Sequence, residues 1–247
     1  MNIQNHLQEN HAESTGKYIK NIVFGGLDGL ITTFSIIAAS FGADFEIKLI
    51  IIMGVANLIA DGISMGFGEF ISGYYENLYI LSETEKEIFE YENNKDYEID
   101  EMIELYKEQG INNEDSKKIV DIISIPKYKN YFIKTMVNYE LDLDIPSDGF
   151  KKENMKKGSV TFISFILFGF IPVFTYIMFY VSNDLNKRTA FITTCFVTTI
   201  SMFLLGFCQA KITKQNGLKY GLMMCFNGSI AALAAFFIGF GLESAMS

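Results

Sequence analysis

The chain has 247 residues, of which 49% are hydrophobic and 20% charged, and its mean hydropathy of +0.21 is higher than an ordinary soluble domain shows. This composition predicts a membrane protein. The formal net charge of −9 argues against a nucleic-acid partner and favours cationic ones. The two histidines, His6 and His11, precede the first apolar segment, which excludes most zinc and copper sites and Ser-His-Asp catalysis from the rest of the chain.

Residues 1–20 form a polar leader without an apolar run, so we expect no cleavable signal peptide. Five apolar segments follow, each near the length of roughly 20 residues that a helix needs to cross a bilayer. They cover residues 22–43, 49–72, 158–181, 189–210 and 217–242. The predicted fold class is therefore an all-α membrane protein with five transmembrane helices, two within residues 21–72 and three within residues 158–247.

Residues 73–157, between the second and third apolar segments, differ in composition from the rest. From Glu76 to Lys157 the chain carries 20 acidic and 12 basic side chains, which account for nearly the whole net charge. Apolar residues recur there at helical spacing. The pattern predicts that the second helix continues to about Asn93 and that shorter helices follow at about 99–109, 113–125 and 127–143. We expect a water-facing, acidic, helical domain.

Lysines in the short flanks predict the orientation of the chain, because cytoplasmic flanks are enriched in Lys and Arg. Such lysines precede the first and third apolar segments and separate the fourth from the fifth. They are Lys17, Lys20, Lys151, Lys152, Lys156, Lys157, Lys211, Lys214 and Lys219. With five spans and a cytoplasmic N-terminus, all three groups lie on the cytoplasmic side. The acidic domain is then expected to be cytoplasmic as well.

The second apolar segment carries Asn57, Asp61, Met65 and Glu69 at intervals of four residues, which places them on one helix face. We call this the path face. Carboxylates at membrane depth are costly and usually line a cavity or a partner helix, so the path face indicates a hydrophilic route for a cation. The alternative interpretation is that Asp61 and Glu69 only hydrogen-bond to neighbouring helices and hold the bundle together.

The first apolar segment carries a single acid, Asp28. Antiparallel packing of the first two segments would place Asp28 and Met65 at a similar depth, about 10 Å into the membrane. A carboxylate oxygen beside a thioether sulfur suits a borderline divalent ion such as Fe²⁺ better than Ca²⁺ or Mg²⁺. Methionine is more often a packing residue than a ligand, so this prediction depends mainly on Asp28.

Two motifs resemble those of the vacuolar iron transporter family. They are Val23-Phe24-Gly25-Gly26-Leu27-Asp28-Gly29, followed by Thr32-Thr33-Phe34, and Gly62-Ile63-Ser64-Met65-Gly66-Phe67-Gly68-Glu69-Phe70. The resemblance extends over nearly the whole chain and implies a homodimer, with a pore between the first spans, that exchanges Fe²⁺ for protons into an acidic store. It implies that Asp28 and Met65 lie on the translocation path and that Glu69 is the acid near its cytoplasmic mouth. Asp61, on the same face, belongs to the predicted path as well.

The same resemblance implies a metal site in the acidic domain. Its ligands would come from two glutamate pairs spaced i,i+3 and from one later helix. They are Glu87, Glu90, Glu98, Glu101, Met136 and Glu140. The family often has two adjacent methionines where this chain has Met136 and Val137, so one sulfur ligand is missing. Without the resemblance, the glutamates would be interpreted as a solvated helix face.

The predicted function is a proton-coupled transporter that moves Fe²⁺ from the cytosol into a vacuole or a similar acidic store, with no permanently bound cofactor. Mn²⁺ is the nearest competing substrate, and Co²⁺ and Zn²⁺ are further candidates. A membrane-anchored metal sensor or buffer would explain the acidic domain but leaves Asp28, Asp61 and Glu69 unexplained. A di-iron carboxylate enzyme is not expected, since such sites usually need Glu-x-x-His and no histidine follows His11.

Overall fold

The computed structural model describes residues 18–182 and 186–246, and helices dominate this part of the chain. The helices are α1 (Ile19–Gly42), α2 (Ile47–Asn93), α3 (Lys95–Glu108), α4 (Asn113–Ile123), α5 (Lys129–Leu141), α6 (Phe150–Val181), α7 (Lys187–Ile212) and α8 (Gly217–Met246). Helices α1, α2, α6, α7 and α8 are each long and apolar enough to cross a membrane, which confirms the predicted all-α fold with five spans. His6 and His11 lie outside the described residues.

The chain divides into two compact units. The first, which we call the membrane unit, combines Met1–Phe70 with Met155–Ser247, and the second, the acidic unit, is Ile71–Asn154. Both boundaries fall inside helices, because α2 and α6 each contribute to both units.

In the membrane unit, α1 packs against each of the other spans. One buried apolar cluster joins α1 to α7 and α8 and consists of Leu30, Phe34, Ala38, Met202, Leu205 and Ala232. Another joins α1 to α2, α6 and α7 and includes Ile37, Ile50, Tyr176 and Ala190. The helix that carries Asp28 is therefore held on several sides by close packing, which fixes the depth and the direction of its polar face.

Glycines of the first motif allow α1 and α6 to approach at backbone distance. A Cβ atom on Gly25 would lie 2.5 Å from the carbonyl oxygen of Thr161, and one on Gly29 would lie 2.3 Å from that of Phe165. Small residues permit such contacts in membranes, where helix association depends on packing and interhelical hydrogen bonds. The glycines beside Asp28 therefore have a structural role that is separate from any ion chemistry.

We expect Gly29→Ala to destabilise the protein, because the added methyl group would overlap the Phe165 carbonyl oxygen, which is backbone and cannot rotate away. Overpacking of this kind costs about 1–3 kcal/mol, which lowers the thermal midpoint in detergent by about 5 °C. Gly241→Ala is the matched control, since no heavy atom lies within 4 Å of the position its Cβ would take. Equal midpoints for Gly29→Ala and the wild type would contradict this account of the α1 and α6 contact.

The acidic unit is built around one apolar core. Its buried members are Tyr91, Met102, Ile103, Tyr106, Val120, Ile123, Phe132, Ile133, Met136 and Val137. Asn112 caps α4, since its side-chain oxygen accepts a hydrogen bond from the Asp115 amide at 2.9 Å. A salt bridge between Lys129 and Glu92 links α5 to α2. These contacts hold the ends of α2, α4 and α5 in a defined arrangement.

Two helix starts in the acidic unit differ from the sequence prediction. Helix α3 begins at Lys95, immediately after Asn94, and therefore includes the turn that precedes the predicted start at residue 99. Between α4 and α5, Pro126–Tyr128 form one turn of 3-10 helix, and α5 begins only at Lys129. Proline forces the residue before it out of the α-helical region, and Ile125 is accordingly extended, which separates the two helices.

Candidate ion path and metal site

The four predicted path residues lie on α1 and α2 in the membrane unit, and each is half-buried in the single chain: Asp28, Asp61, Met65 and Glu69. Asp28 and Asp61 lie close enough for their negative charges to interact. Two carboxylates held together in an apolar surrounding repel each other unless a proton or a cation is shared between them. The structure therefore brings the acid of the first motif to the path face of α2.

Asp61 also has a partner on its own helix. The Asn57 side chain, one turn earlier, donates a hydrogen bond from Nδ2 to Asp61 Oδ2 at 2.5 Å. This bond orients the Asp61 carboxylate along the path face. Met65 follows Asp61 by one turn on the same face, and its role as a sulfur ligand stays a prediction.

Glu69 is hydrogen-bonded to a neighbouring helix. This contact agrees with the alternative interpretation of the path face, in which Asp61 and Glu69 hold the bundle together, as far as Glu69 is concerned. Its Oε1 accepts a hydrogen bond of 2.7 Å from Nδ2 of Asn21 on α1. Asn21 is only 4% exposed and also donates to Thr161 Oγ1 on α6 at 3.0 Å. Sequence reasoning missed Asn21. The available signal was a polar side chain in a spanning helix, two turns before Asp28.

In the acidic unit, the structure gathers five of the six predicted ligands. The carboxylates of Glu87, Glu90, Glu98, Glu101 and Glu140 interact electrostatically, and we call them the glutamate cluster. They come from α2, α3 and α5, so that two i,i+3 pairs face one residue of a third helix. Such a group of acids attracts a divalent cation, because the cation removes the repulsion among them.

Burial and like charge perturb the cluster strongly. Burial raises the pKa of Glu87 to about 7, and the charges of Glu140, Glu90 and Glu98 add to the effect. Burial, followed by the charges of Glu101 and Glu90, raises the pKa of Glu98 to about 7 as well. The pKa of Glu140 is also raised, first by burial. Without a cation, part of the cluster therefore keeps its protons at neutral pH.

Glu87 has an unpaired carboxylate oxygen inside the cluster. The residue is 5% exposed, and its Oε2 atom is buried without a hydrogen-bond partner in the described part of the chain. A buried polar atom left unpaired is costly, and a proton, a water molecule or an ion at this oxygen would remove the cost. A metal cation coordinated by this oxygen would remove the cost.

Met136 is placed differently from the glutamates. It lies in the apolar core of the acidic unit with none of its surface exposed, and the same is true of Val137. Its environment is that of a packing residue, and its ligand role stays a prediction.

Within residues 18–182 and 186–246, no three His, Cys, Asp or Glu side chains have already converged to metal-binding distance. The side chains of the glutamate cluster therefore interact electrostatically but are not arranged as a coordination sphere. Coordination of a cation would require the side chains to rotate inward.

These features define a class of protein: a helical membrane protein with paired acids on its first two spans and an acidic helical unit between the second and third. The sequence profile of the VIT family matches residues 19–240, and the chain belongs to this family. This match confirms the family that the two span motifs predicted.

Three relatives illustrate the extent of the similarity. The chain is 37% identical over 235 residues to a vacuolar iron transporter of Toxoplasma gondii, which covers 94% of this chain and 76% of the relative. It is 35% identical over 231 residues to a vacuolar iron transporter of Plasmodium falciparum, covering 93% and 84%. It is 25% identical over 233 residues to vacuolar iron transporter 1 of Arabidopsis thaliana, covering 93% and 89%.

Proposed function

We propose that this protein exchanges Fe²⁺ for protons across a membrane and moves iron from the cytosol into a vacuole or another acidic compartment. The relatives described above carry the name vacuolar iron transporter, which supports an iron substrate. The observation that carries the proposal is the electrostatic interaction of Asp28 with Asp61, in two helices that are apolar enough to span a membrane. Carboxylates are rarely kept at such depth unless they handle charge.

The chemistry of the carboxylate accounts for the coupling. An oxygen that coordinates Fe²⁺ must be free of its proton, so metal binding and proton binding exclude each other at the same group. Facing a neutral cytosol, Asp28, Asp61 and Glu69 bind the cation. Facing an acidic lumen, they take up protons and release it. Met65 would add a soft ligand that favours Fe²⁺ over Ca²⁺ and Mg²⁺.

The glutamate cluster would gather the ion before transport. Its raised pKa values and the unpaired Glu87 oxygen support a site that exchanges a proton for a cation near neutral pH. The lysine-rich flanks support a cytoplasmic location for the acidic unit. The ion would then reach Glu69, and pass on to Asp28 with Met65.

A homodimer would supply a second set of path residues to one ion, and the family resemblance implies this assembly. The exposed side of α2 is compatible with a second copy. Ala56, Ala60, Ser64 and Gly68 recur there at intervals of four residues and are all exposed in the single chain. Small residues in this arrangement allow another helix to approach closely.

A preference for Mn²⁺ is the second candidate, and one observation favours it. Val137 is fully buried in the core of the acidic unit, at the position where the family often has a second methionine. Loss of a sulfur ligand favours Mn²⁺, which prefers oxygen ligands.

Metal uptake into sealed proteoliposomes with an acidic interior tests the proposed function. Under anaerobic conditions, we expect Fe²⁺ to accumulate inside vesicles that contain the protein and not inside protein-free vesicles. Competition by Mn²⁺, Co²⁺ and Zn²⁺ at equal concentration ranks the substrates. A membrane-anchored sensor or buffer would bind Fe²⁺ on the outer surface without moving it, and that result would overturn the transport proposal.

A further inference from the structure

We infer that Asn21 is a positioning residue of the ion path, which holds the Glu69 carboxylate in place through its side-chain amide. The inference rests on the proposed function, since it assigns Asn21 a part in the capture of the transported cation. Asn21 does not contact the ion itself. It acts through Glu69, at the point where α1, α2 and α6 meet.

The donor and the acceptor of each hydrogen bond at this junction can be assigned. The Thr161 hydroxyl donates to the carbonyl oxygen of Lys157 at 3.1 Å, so its oxygen accepts from Asn21. An amide nitrogen carries two hydrogens and can only donate. One hydrogen of Asn21 Nδ2 therefore goes to Thr161 and the other to Glu69 Oε1. With its donors satisfied on two helices, the Asn21 amide is fixed in rotation as well as in position.

The backbone contact between α1 and α6 explains how Asn21 reaches Thr161. Gly25 lies one turn after Asn21 and faces the Thr161 carbonyl, where a Cβ atom would be 2.5 Å from the oxygen. At this separation the short Asn21 side chain spans the gap between the helices. A larger residue at position 25 would force the helices apart and break the bond.

A similar contact brings α2 to the same place. A Cβ atom on Gly66 would lie 2.9 Å from the carbonyl oxygen of Gly158 on α6. The two helices run antiparallel, since Gly62 lies against Ile166 and Gly66 against Gly158, so this contact holds α2 against α6 one turn before Glu69. Close backbone packing thus holds both α1 and α2 against α6, and the hydrogen bond between Asn21 and Glu69 joins α1 to α2 beside these contacts.

A fixed carboxylate captures a cation with less loss of side-chain freedom than one that must first be ordered. A hydrogen bond to one oxygen also keeps that oxygen an acceptor and aims the carboxylate. Without Asn21, the Glu69 carboxylate would lose this hydrogen bond and the direction that it imposes, and capture of the cation would weaken. The rate of later steps at Asp28 and Asp61 would change little.

The test compares Fe²⁺ uptake kinetics of the wild type, Asn21→Leu, Glu69→Gln and the double variant in proteoliposomes. Leucine keeps the branched shape and the number of side-chain heavy atoms of asparagine and cannot donate a hydrogen bond. We expect the KM of Asn21→Leu to rise about tenfold or more, as for loss of a hydrogen bond to a charged group, while the maximal rate changes by less than about threefold. Asn227→Leu, at an exposed asparagine of α8, is the control and should keep the wild-type KM.

The double variant separates positioning from a general structural role. If Asn21 acts through Glu69, adding Asn21→Leu to Glu69→Gln should raise KM by much less than it does in the wild type. Additive effects, or a wild-type KM for Asn21→Leu, would overturn the inference and leave the transport proposal standing. Absence of uptake by the wild type would overturn both.

Thr161→Val provides a second variant if Asn21→Leu does not fold. Valine has a similar volume and removes the acceptor that fixes one hydrogen of the Asn21 amide. We expect a smaller rise in KM, about threefold, because Asn21 can still reach Glu69. An unchanged KM in a folded Thr161→Val protein would show that the anchor on α6 has no part in placing Glu69.

Discussion

Replacing Asp28 with alanine is expected to reduce Fe²⁺ uptake by at least about 100-fold, because it removes the only carboxylate of α1 and leaves Asp61 without the second acid with which it would share the cation under the proposed function. The deficit should appear in sealed proteoliposomes at every Fe²⁺ concentration, since the loss affects passage of the ion rather than its collection. Met65→Ala is expected to abolish uptake as well if its sulfur joins Asp28 at one ion.

The matched control for this experiment is Asp44→Asn. Asp44 lies just after the end of α1, has a positive φ of 54°, and forms a salt bridge of 2.9 Å with Lys187. Asparagine tolerates this backbone conformation, so the variant removes one acid near the end of the same helix without straining the chain. Uptake close to the wild-type rate in Asp28→Ala, measured beside a fully active Asp44→Asn, would defeat the assignment of Asp28 to the path.

The second large effect concerns metal binding by the glutamate cluster. Glu87 and Glu98 have pKa values of about 7, against an ordinary value of 4.5, so below pH 7 both hold protons that a cation must displace. Affinity for Mn²⁺ or Fe²⁺ should therefore fall as pH decreases, by up to about 100-fold per pH unit below 7, and level off above pH 8. Carboxylates with ordinary pKa values would give nearly constant affinity between pH 6 and 8.

The double variant Glu87→Gln with Glu98→Gln should lose this pH-dependent binding. Calorimetric titration of the solubilised full-length protein at pH 6, 7 and 8, in the Asp28→Ala background to reduce binding at the path, provides the measurement. The control replaces Glu104 and Glu108 of α3 by glutamine, which removes two exposed carboxylates outside the cluster. Equal affinities at pH 6 and 8, or unchanged binding by the cluster variant, would exclude the glutamate cluster as the metal site.

The five spans were predictable from the sequence because the bilayer dictates their length and apolar character. Asp28 in the first segment, and Asp61 and Glu69 in the second, did not obscure these two spans, since the runs around them stay apolar over a spanning length. The continuation of α2 to Asn93 was also predictable, because no proline lies between Ser72 and Asn93 and the apolar residues keep helical spacing up to Ile88. The sequence did not indicate that Pro126 begins a turn of 3-10 helix.

Periodicity placed the site residues only along single helices, and their grouping across helices was predicted from antiparallel packing and from the family resemblance. Spacing places Glu87 and Glu90 on one face, but the approach of α3 and α5 to that face depends on the apolar core of the acidic unit. The bond between Asn21 and Glu69 joins residues 48 positions apart, and it depends on glycine contacts with a third helix. Periodicity describes one helix at a time, so it cannot show which polar residues meet across helices.

Proton movement during iron uptake tests the central claim most directly. Vesicles that contain the protein, a pH-sensitive dye and an acidic lumen are exposed to external Fe²⁺ without any other ion gradient. Exchange predicts that the lumen becomes more alkaline as Fe²⁺ enters, and that both signals are lost together in Asp28→Ala. Fe²⁺ accumulation with no change in luminal pH would contradict proton exchange, and the absence of Fe²⁺ accumulation would contradict transport itself.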